Sequence, residues 1–416
     1  MKVFVYGNTL NIALKLTLIL RQKGIDAEMF LDNTSPLQQD YPNWEYPELT
    51  SGSYPSWIHY YPIFPNFIFS GTKTKKMIAD FGKCDVALVS GWGPILAMKA
   101  KVPAVFHSAG TDLNNIAIID EIKSVFKSKL SFTNRLKKLI KSFTFSPLQK
   151  KALKKHTSKI MVSMGYQVNR YINDQGLQHK LVLANFPRDI INYAAPLDEK
   201  LYNRYKKYRL VFFMISRHSW KSVWNDIKGN DKFIRAYAKF IKNHHPSALL
   251  IMTNKGVDFE ASKELVKQEG IEENIEWVQN MPVYQLKGYQ SLPNVIMVDN
   301  FWHDDWKKRF PKDTPEPKVG FGFACIESLA AKRPIITAFT DREFYEGNTP
   351  PILYAFTENE IYNRLVQAYE MGADELKKMG EDGYAFVLKW HEQTAIIDKH
   401  ISLLQEVYRQ ASINKK

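Results

Sequence analysis

The sequence predicts an α/β protein made of two consecutive, doubly wound units, each with a parallel sheet between helices. Short apolar runs alternate with segments of helical periodicity, which is typical of parallel strand–helix units. This alternation stops in the polar, tyrosine-rich connector Asp189–Arg209 and restarts at the apolar run Leu210–Ser216. A chain of 416 residues is also long enough for two domains of ordinary size.

The first unit is predicted over residues 1–195. A tight loop at Gly7-Asn8 follows the first apolar run and precedes a helix at Leu10–Lys23. In a doubly wound sheet such a loop lies at the carboxyl edge of the strands, where ligands bind. The predicted strands are Lys2–Tyr6, Ala27–Leu31, Asp85–Ser90, Val102–Phe106, Lys159–Ser163 and Leu181–Asn185.

Residues 40–69 interrupt the alternation. Five prolines between Pro42 and Pro65 disfavour regular structure, so we expect a long loop here. The segment is also rich in tryptophan, tyrosine and phenylalanine, whose flat rings suit contacts with sugar rings or lipid tails. An equally good interpretation is a loop that packs these rings on its own sheet.

The second unit is predicted over residues 196–390, and a C-terminal helix falls within residues 391–416. Helical periodicity over Leu388–Ala411 indicates one continuous helix there. The predicted strands of the second unit are Leu210–Ser216, Ala248–Thr253, Ile275–Gln279, Asn294–Phe301 and Ile335–Phe339. Its predicted helices include Phe259–Lys267, Met281–Tyr289 and one that opens near Lys228 and runs to Ile241.

The composition indicates a reducing compartment. Two cysteines, Cys84 and Cys325, cannot form a disulfide framework. No apolar run is long enough to cross a bilayer, and the N-terminus begins with a short strand rather than with a signal peptide. We therefore expect a cytoplasmic protein.

The net charge of +14 implies an anionic partner. Much of this charge lies in the basic segment Lys123–Lys155, which is interleaved with phenylalanine, leucine and isoleucine. Such a segment fits a helix or helical hairpin on an anionic membrane surface, so we expect peripheral association with the inner face of the membrane. The alternative is a solvated helix that packs on its own domain. Nucleic acid is a weaker candidate, because no nucleic-acid-binding module is recognisable.

A glycine turn opens the most informative stretch of the second unit. Gly320-Phe321-Gly322 precedes a segment of helical periodicity that contains Glu327. Glycine lets the backbone approach a ligand closely, and the start of a helix offers amide donors to an anion. The Glu327 carboxylate would repel a phosphate, but it can accept hydrogen bonds from sugar hydroxyls. The alternative is a turn between two core elements, with Glu327 merely exposed.

Two cations are predicted at the edge of the same unit. Arg217 directly follows a predicted strand, and Lys228 stands at the start of a helix. Together with the glycine turn they describe a diphosphate site, because a guanidinium and an ammonium stabilise the charge on a departing phosphate. No His, Cys or carboxylate cluster has the spacing of metal ligands, so we expect no metal or other cofactor. Alternatively, both cations are ordinary surface residues.

The first unit offers His107 and Asp112, which follow the strand predicted at Val102–Phe106. Polar side chains at the carboxyl end of a strand are candidates for a functional site. The alternative for His107 is a structural histidine with satisfied hydrogen bonds.

Several segments in register resemble the retaining glycosyltransferases of the GT-B fold, most closely glycosyltransferase family 4. Those in the second unit are Ile215-Ser216-Arg217, Lys228-Gly229-Asn230-Asp231, Val298-Asp299-Asn300-Phe301, Gly320-Phe321-Gly322, Glu327-Ser328-Leu329-Ala330-Ala331 and Pro334-Ile335-Ile336. Those in the first unit are Gly7-Asn8, Gly91-Trp92-Gly93-Pro94 and Gly110-Thr111-Asp112. The resemblance implies two Rossmann-like domains facing a cleft, with a C-terminal helix that packs back toward the first domain.

The resemblance also implies roles for individual residues. Arg217 and Lys228 match the pair that holds the donor diphosphate, and Glu327 matches the glutamate that binds the nucleotide ribose. The glycine turn at 320–322 matches the donor loop. Gly7 and Asn8 match the loop beneath the donor phosphates.

Two positions depart from the family pattern. The family often has a glutamate eight positions before the one that matches Glu327, and this chain has Val319 there. The family histidine of the first domain falls at Ala109, whereas this chain has His107 two residues earlier. His107 stays the candidate for contact with the transferred sugar.

Residue chemistry and resemblance together predict a nucleotide-sugar-dependent hexosyltransferase. A nucleotide-diphosphate sugar, such as a UDP-sugar, would bind the second domain. A cell-envelope or surface-glycan acceptor, lipid-linked or polysaccharide, would bind near His107, Asp112 and the aromatic residues of the loop 40–69. The sugar would be transferred with retention of configuration. The alternatives are a nucleotide-sugar epimerase, a non-catalytic nucleotide-sugar-binding protein, and a scaffold that binds membranes or polyanions through the basic segment.

Overall fold

The computed structural model divides the chain into two units. It describes residues 1–33, 35, 38–68, 70–108, 111–114, 125–126, 132–162, 172–173, 175–222, 227–302 and 319–413. The first unit comprises the described residues of Met1–Phe126, Ser131–Arg188 and Gln393–Lys416, and the second those of Asp189–Glu392. The sequence-based limits of 1–195, 196–390 and 391–416 stay predictions.

Each unit contains one parallel sheet. The strands of the first sheet are β1 Lys2–Tyr6, β2 Asp26–Asp32, β3 Ile58–Tyr61, β4 Val86–Val89, β5 Ala104–Ser108, β6 Thr157–Val162 and β7 Leu181–Leu183. Those of the second are β8 Leu210–Met214, β9 Ala248–Thr253, β10 Ile275–Val278, β11 Val295–Val298, β12 Ile335–Thr337 and β13 Leu353–Tyr354. All these described strands pair in parallel, which confirms the predicted fold class.

Helices connect the strands of both sheets. The described helices are α1 Ile12–Gln22, α2 Thr72–Phe81, α3 Gly93–Ala100, α4 Thr111–Asn114, α5 Phe132–Lys155, α6 Glu199–Tyr205, α7 Asn230–His244, α8 Phe259–Glu269, α9 Val283–Gln290, α10 Phe323–Ala330, α11 Glu358–Glu370, α12 Ala373–His391 and α13 Gln393–Ile413. The last of these, α13, packs within the first unit against β4, β5, β6 and α1.

The strand order places one reversal in each sheet. The first sheet has the order β3-β2-β1-β4-β5-β6-β7 and the second β10-β9-β8-β11-β12-β13. Chain direction across the sheet therefore changes between β1 and β4 and between β8 and β11. These two places are the switch points at which doubly wound sheets bind ligands.

Burial on both faces explains the apolar runs that identified the strands. Every residue of β8 and β9 is buried, including Phe212 and Phe213, which lie on opposite faces of β8. Burying each phenylalanine stabilises the fold by about 1.5–3 kcal/mol. The helix α7 presents Phe233, Tyr237 and Phe240 to one face of this sheet.

Two parts of the first unit differ from the prediction. Residues 58–61, expected in a loop, form the edge strand β3, which pairs only with β2 among the described strands. The flanking prolines Pro55 and Pro62 lie outside the strand, so they do not interrupt its hydrogen bonds. His107, expected just after a strand, lies within β5.

The predicted C-terminal helix is interrupted. The structure has α12 and α13 where one helix was expected, and Glu392 between them is extended, with φ of −62° and ψ of 132°. The Glu392 carboxylate accepts a hydrogen bond from the N–H of Ile190 at 3.0 Å. This hydrogen bond favours a break that apolar periodicity does not reveal.

Candidate functional site

Three neighbouring strands of the second sheet lead into charged residues. Arg217 follows β8, Lys255 follows β9, and Asp299 comes directly after β11. These strands are adjacent, and the switch point lies between β8 and β11. Ligands of such sheets bind outside the carboxyl ends of the strands at this point. This edge is therefore the candidate site.

The charged side chains at this edge act on one another. The pKa of Lys255 is about 8, lowered first by burial and then by the charge of Arg217. The carboxylates of Asp299 and Glu327 raise this pKa, and Lys228 lowers it. Burial raises the pKa of Asp299, although the three cations oppose the shift. Arg217 and Lys228 thus both lie within electrostatic range of Lys255 and Asp299.

The loop that carries Arg217 packs closely on the loop after β9. The His218 N–H donates to the Lys255 carbonyl at 2.7 Å, and the Asp258 N–H donates to the His218 carbonyl at 3.1 Å. Gly256 has a φ of +116°, and a Cβ atom there would lie 2.3 Å from the His218 carbonyl oxygen. Only glycine allows so close an approach in this conformation.

The Asp258 carboxylate holds the following part of the same loop. It accepts hydrogen bonds from the N–H groups of Trp220 at 2.7 Å, Lys221 at 2.8 Å and Ser222 at 3.0 Å. Burial alone would raise the pKa of Asp258, but hydrogen bonds from the Ser222 side chain and from these backbone groups outweigh burial and hold the pKa below its ordinary value. The backbone on the C-terminal side of Arg217 is therefore fixed by an ionised carboxylate.

Backbone hydrogen bonds position Lys228 between two loops. Its N–H donates to the Ser219 carbonyl at 2.6 Å, and its carbonyl accepts from the Phe301 N–H at 2.8 Å. Gly229 follows with a φ of +71°, and a Cβ atom there would lie 3.1 Å from Phe301. The glycine permits the left-handed turn that starts α7 directly after Lys228.

The glycine turn meets the site at the start of α10. Gly322 precedes this helix and has no side chain to cap its first amides. Such amides and the positive end of the helix dipole attract anions. The Asp299 Oδ2 atom lies 3.3 Å from the position of a Cβ on Gly322, so the turn adjoins the charged edge. Gly320, on the other side of the turn, is half-buried.

Two side chains near the turn, Phe321 and Val319, are buried in the core. The Phe321 ring lies 5.0 Å from that of Phe339 and 5.5 Å from that of Tyr345, measured between centroids. A donor contact from Phe321 would therefore come from its backbone. Val319, where the resembling family often has glutamate, is also buried.

Glu327 lies inside α10 and is buried. Glu327 is therefore not exposed, contrary to the alternative interpretation, and whether the turn only joins two core elements stays open. The Glu327 carboxylate raises the pKa of Lys255, which places it within electrostatic range of that cation. Its contact with a ribose stays a prediction.

The first unit has its own closely packed switch point. Gly7 has a φ of +99°, and a Cβ atom there would lie 2.5 Å from the Ser90 carbonyl oxygen. The Asn8 Oδ1 accepts from the Leu14 N–H at 3.0 Å, and its Nδ2 donates to the Asp40 carbonyl at 2.6 Å. Gly7 lets the ends of β1 and β4 approach, and Asn8 holds the start of α1.

Asp112 joins two loops of the first unit. Its carboxylate accepts from the Gly91 N–H at 3.0 Å and from the Ser108 hydroxyl at 2.7 Å. The loops after β4 and β5 are thereby held together. Gly110, which belongs to the same resembling segment, lies outside the described residues.

His107 is enclosed by other side chains. Its ring stacks on Phe186 with centroids 3.6 Å apart, and its Nδ1 lies 3.2 Å from the Nε2 of His400. Burial, and then His400, hold the pKa of His107 well below its ordinary value, so the ring is neutral. Contact between His107 and a transferred sugar stays a prediction.

Two residues of this edge, Lys255 and Asp258, were not predicted from the sequence. Lys255 stands two positions after a strand that was predicted with its observed bounds. Arg217 was identified because ligand-binding residues follow the carboxyl ends of parallel strands, and the same reasoning applies to Lys255. Asp258 had no comparable signal, because its three backbone partners are set by the folded loop.

Within the parts of the chain that the structure describes, no three His, Cys, Asp or Glu side chains are grouped to hold a metal ion. No described helix combines the length and apolar character needed to span a membrane. Cys84 and Cys325 are both buried and free. Independence of metals stays a prediction.

Comparisons with known proteins show similarity in structure only. The chain matches no protein-family model and no curated protein sequence. HepE from Anabaena, in complex with UDP and glucose, is 13% identical, with a TM-score of 0.63 over 98% of this chain and 100% of that chain. Sucrose-phosphate synthase from Thermosynechococcus elongatus is 13% identical, with a TM-score of 0.65 over 99% of this chain and 100% of that one.

A glycosyltransferase from Rickettsia africae is 15% identical, with a TM-score of 0.61 over 98% of both chains. At these identities the comparison shows the fold and leaves the reaction open. The architecture of the two described units matches that of these proteins over almost the full chain. This chain therefore has the GT-B fold of glycosyltransferases.

Proposed function

We propose that the protein transfers a hexose from a nucleotide-diphosphate sugar to a cell-envelope or surface-glycan acceptor, with retention of configuration. The observation that carries this proposal is the collection of Arg217, Lys228 and Lys255 around the switch point of the second sheet. A sheet edge with three cations and an uncapped helix start suits a diphosphate. The first donor to test is UDP-glucose, because HepE binds UDP and UDP-glucose.

The proposed chemistry follows from the charges at the edge. The bond between the anomeric carbon and the phosphate oxygen breaks, and the leaving diphosphate gains negative charge. Arg217, Lys228 and Lys255 stabilise that charge, and the first amides of α10 add hydrogen bonds. The acceptor hydroxyl forms the new bond on the same face of the sugar and loses its proton to the leaving diphosphate. These cations take the place that a metal ion occupies in other diphosphate sites.

For the first unit we propose a positioning role. Asp112 fixes the loops after β4 and β5 through Gly91 and Ser108. His107 packs on Phe186 and pairs with His400 beneath the same edge. These residues would shape the surface on which a glycan or lipid-linked acceptor binds.

The test compares two cation variants with a matched control. Arg217→Ala and Lys228→Ala should weaken UDP binding about 10–100-fold and slow release of UDP from UDP-glucose, because each loses a charge-assisted contact. Lys221→Ala removes an exposed cation from the same loop and should leave both quantities unchanged. Titration calorimetry gives the affinity, a coupled assay gives the release, and EDTA should alter neither. Wild-type values in both variants would refute the proposal.

A second candidate is a non-catalytic nucleotide-sugar-binding protein of the same fold. The observation that favours it is Val319, an apolar and buried side chain where the resembling family often uses a glutamate near the donor sugar. This candidate predicts UDP-glucose binding that depends on Arg217 and Lys228, but no UDP release with any glycan acceptor. Conversion of the donor without an acceptor would instead indicate an epimerase.

A further inference from the structure

One face of α5 carries a row of exposed apolar side chains. Phe132 is 80% exposed, Leu136 48%, Ile140 55% and Phe143 61%. Their spacing of four, four and three residues places them on one side of a helix. We name these four residues the α5 face. Contiguous exposed apolar surface of this kind marks a binding surface in soluble proteins.

The same helix is anchored to the first unit by its other side. Ala152 and Leu153 are buried in the core of that unit, and Phe145 and Leu148 pack against it. These residues lie in the C-terminal half of α5, and Phe145, Leu148 and Ala152 fall on the side opposite to the α5 face. The helix therefore does not turn its apolar row toward the described core.

The charge around the α5 face selects its partner. Lys151, Lys154 and Lys155 are exposed in the last turns of the same helix. No acidic residue occurs between Lys123 and Lys159, so this part of the chain is uniformly basic. Basic residues beside an apolar helical face attract anionic headgroups while the apolar side chains enter the acyl boundary.

We infer that the α5 face and the lysines that follow it bind an anionic lipid surface. A nucleic acid would use the lysines but gain nothing from four exposed apolar side chains. A second copy of the chain would bring two basic helices together, which is unfavourable at this charge density. The lipid surface uses both the apolar row and the charge. This inference holds whether or not the second unit transfers a sugar.

The experiment measures flotation of the full-length protein with vesicles. Wild type should float with vesicles of phosphatidylglycerol and phosphatidylcholine in equal parts, and not with phosphatidylcholine alone. Phe132→Ser combined with Phe143→Ser should weaken binding about tenfold or more, because two apolar insertions are lost. Lys151→Glu combined with Lys154→Glu should weaken it to a similar degree, and the remaining binding should depend less on salt, because part of the electrostatic attraction is lost.

Two control variants of the same unit test whether a loss of vesicle binding is specific to α5 or follows from any similar change in charge or apolar surface. Lys73→Glu combined with Lys75→Glu makes the same charge change at exposed positions of α2, and Ile413→Ser removes an exposed apolar side chain of α13. Both should float as wild type, and circular dichroism should be unchanged in all variants. Three results would overturn the inference: no flotation of wild type, a serine variant that floats normally, or RNA binding lost only in the lysine variant. A wild-type dimer that the serine variant dissociates, without vesicle binding, would assign the face to a second copy.

Discussion

Lys255 shows how a single residue can connect the electrostatics of this edge to binding. Its side chain is half-buried, and burial and then the charges of Arg217 and Lys228 lower its pKa to about 8. Asp299 and Glu327 oppose this shift only in part. A diphosphate at this edge would add negative charge next to the ammonium and raise that pKa. Binding of the anion and protonation of Lys255 are therefore coupled.

We expect UDP to bind less tightly as the pH rises through about 8. Below that value Lys255 is charged and attracts the diphosphate, and above it the free protein loses this cation. In Lys255→Met the affinity should be lower at neutral pH and nearly independent of pH across the same range. Titration calorimetry at several pH values measures both quantities.

Lys221→Met serves as the control for this prediction, since Lys221 is an exposed lysine of the neighbouring loop. It should retain the pH dependence of wild type. An identical pH profile in wild type and Lys255→Met would show that Lys255 does not face the bound diphosphate.

At the residue scale, the sequence predicts the position of a residue at the end of a strand or helix better than the direction of its side chain. Arg217 and Lys228 were predicted at the site because element ends can be recognised from the chain. Phe321 was expected to contact the donor, but its ring packs on Phe339 and Tyr345 in the core. The direction of a side chain beside a glycine turn depends on packing from distant segments, which a single sequence does not display.

The loop after β8 is the element on which the proposed site depends. It joins the strand end to α7, and in its described part His218 forms two backbone hydrogen bonds with the segment after β9. The Asp258 carboxylate binds three of its amides, from Trp220 to Ser222. Hydrogen bonds from amides to an ionised acceptor are stronger than neutral ones, so this carboxylate should dominate the order of the loop.

Asp258→Asn should lower the free energy of unfolding by about 1–3 kcal/mol, because amide donors lose a charged acceptor. The pKa of Asp258 is held below its ordinary value of 3.8. Its stabilisation is therefore fully present above pH 3.8 and is lost as the pH falls through the lower folded value. Denaturant unfolding at neutral and acidic pH measures the difference between wild type and variant, which should shrink in acid.

UDP affinity should also fall in Asp258→Asn, since the loop that carries Arg217 loses its anchor. Glu260→Gln changes an exposed carboxylate in the first turn of the same helix, α8, and should have little effect on either property. A variant with full stability and weakened binding would place Asp258 in contact with the ligand rather than in support of the loop.

At the element scale, the fully buried strands were predicted almost residue by residue. Ala248–Thr253 has its predicted bounds, because a parallel strand buried on both faces is a continuous apolar run. The edge strand β3 lacks that signal, and the strand β13 has only two residues. The break at Glu392 depends on a hydrogen bond with Ile190, which is distant in sequence.

At the scale of the whole molecule, the C-terminal segment completes the first unit. The helix α13 buries Ile397, Leu404 and Val407, and it packs against β4, β5 and β6. His400 on this helix meets His107 on β5, with 3.2 Å between Nε2 and Nδ1. The last helix of the chain therefore contributes to the core of the unit that begins the chain.

This histidine pair makes the first unit sensitive to acid. Burial lowers the pKa of His400 to about 4, whereas an unfolded histidine titrates near 6.5. Between these values the unfolded chain binds a proton that the folded chain does not, so stability falls as the pH decreases. From His400 alone we expect a loss of about 2 kcal/mol between pH 8 and pH 5.

His400→Gln should reduce this loss, because glutamine does not titrate but its side-chain oxygen can still accept a hydrogen bond from His107 Nδ1. The measured quantity is the change in unfolding free energy between the two pH values, so a constant cost of the substitution cancels. His156→Gln, which alters an exposed histidine of the same unit, should keep the wild-type change. Equal acid sensitivity in wild type and His400→Gln would mean that His400 titrates freely in the folded protein. In that case the proposed packing of α13 over His107 would be wrong.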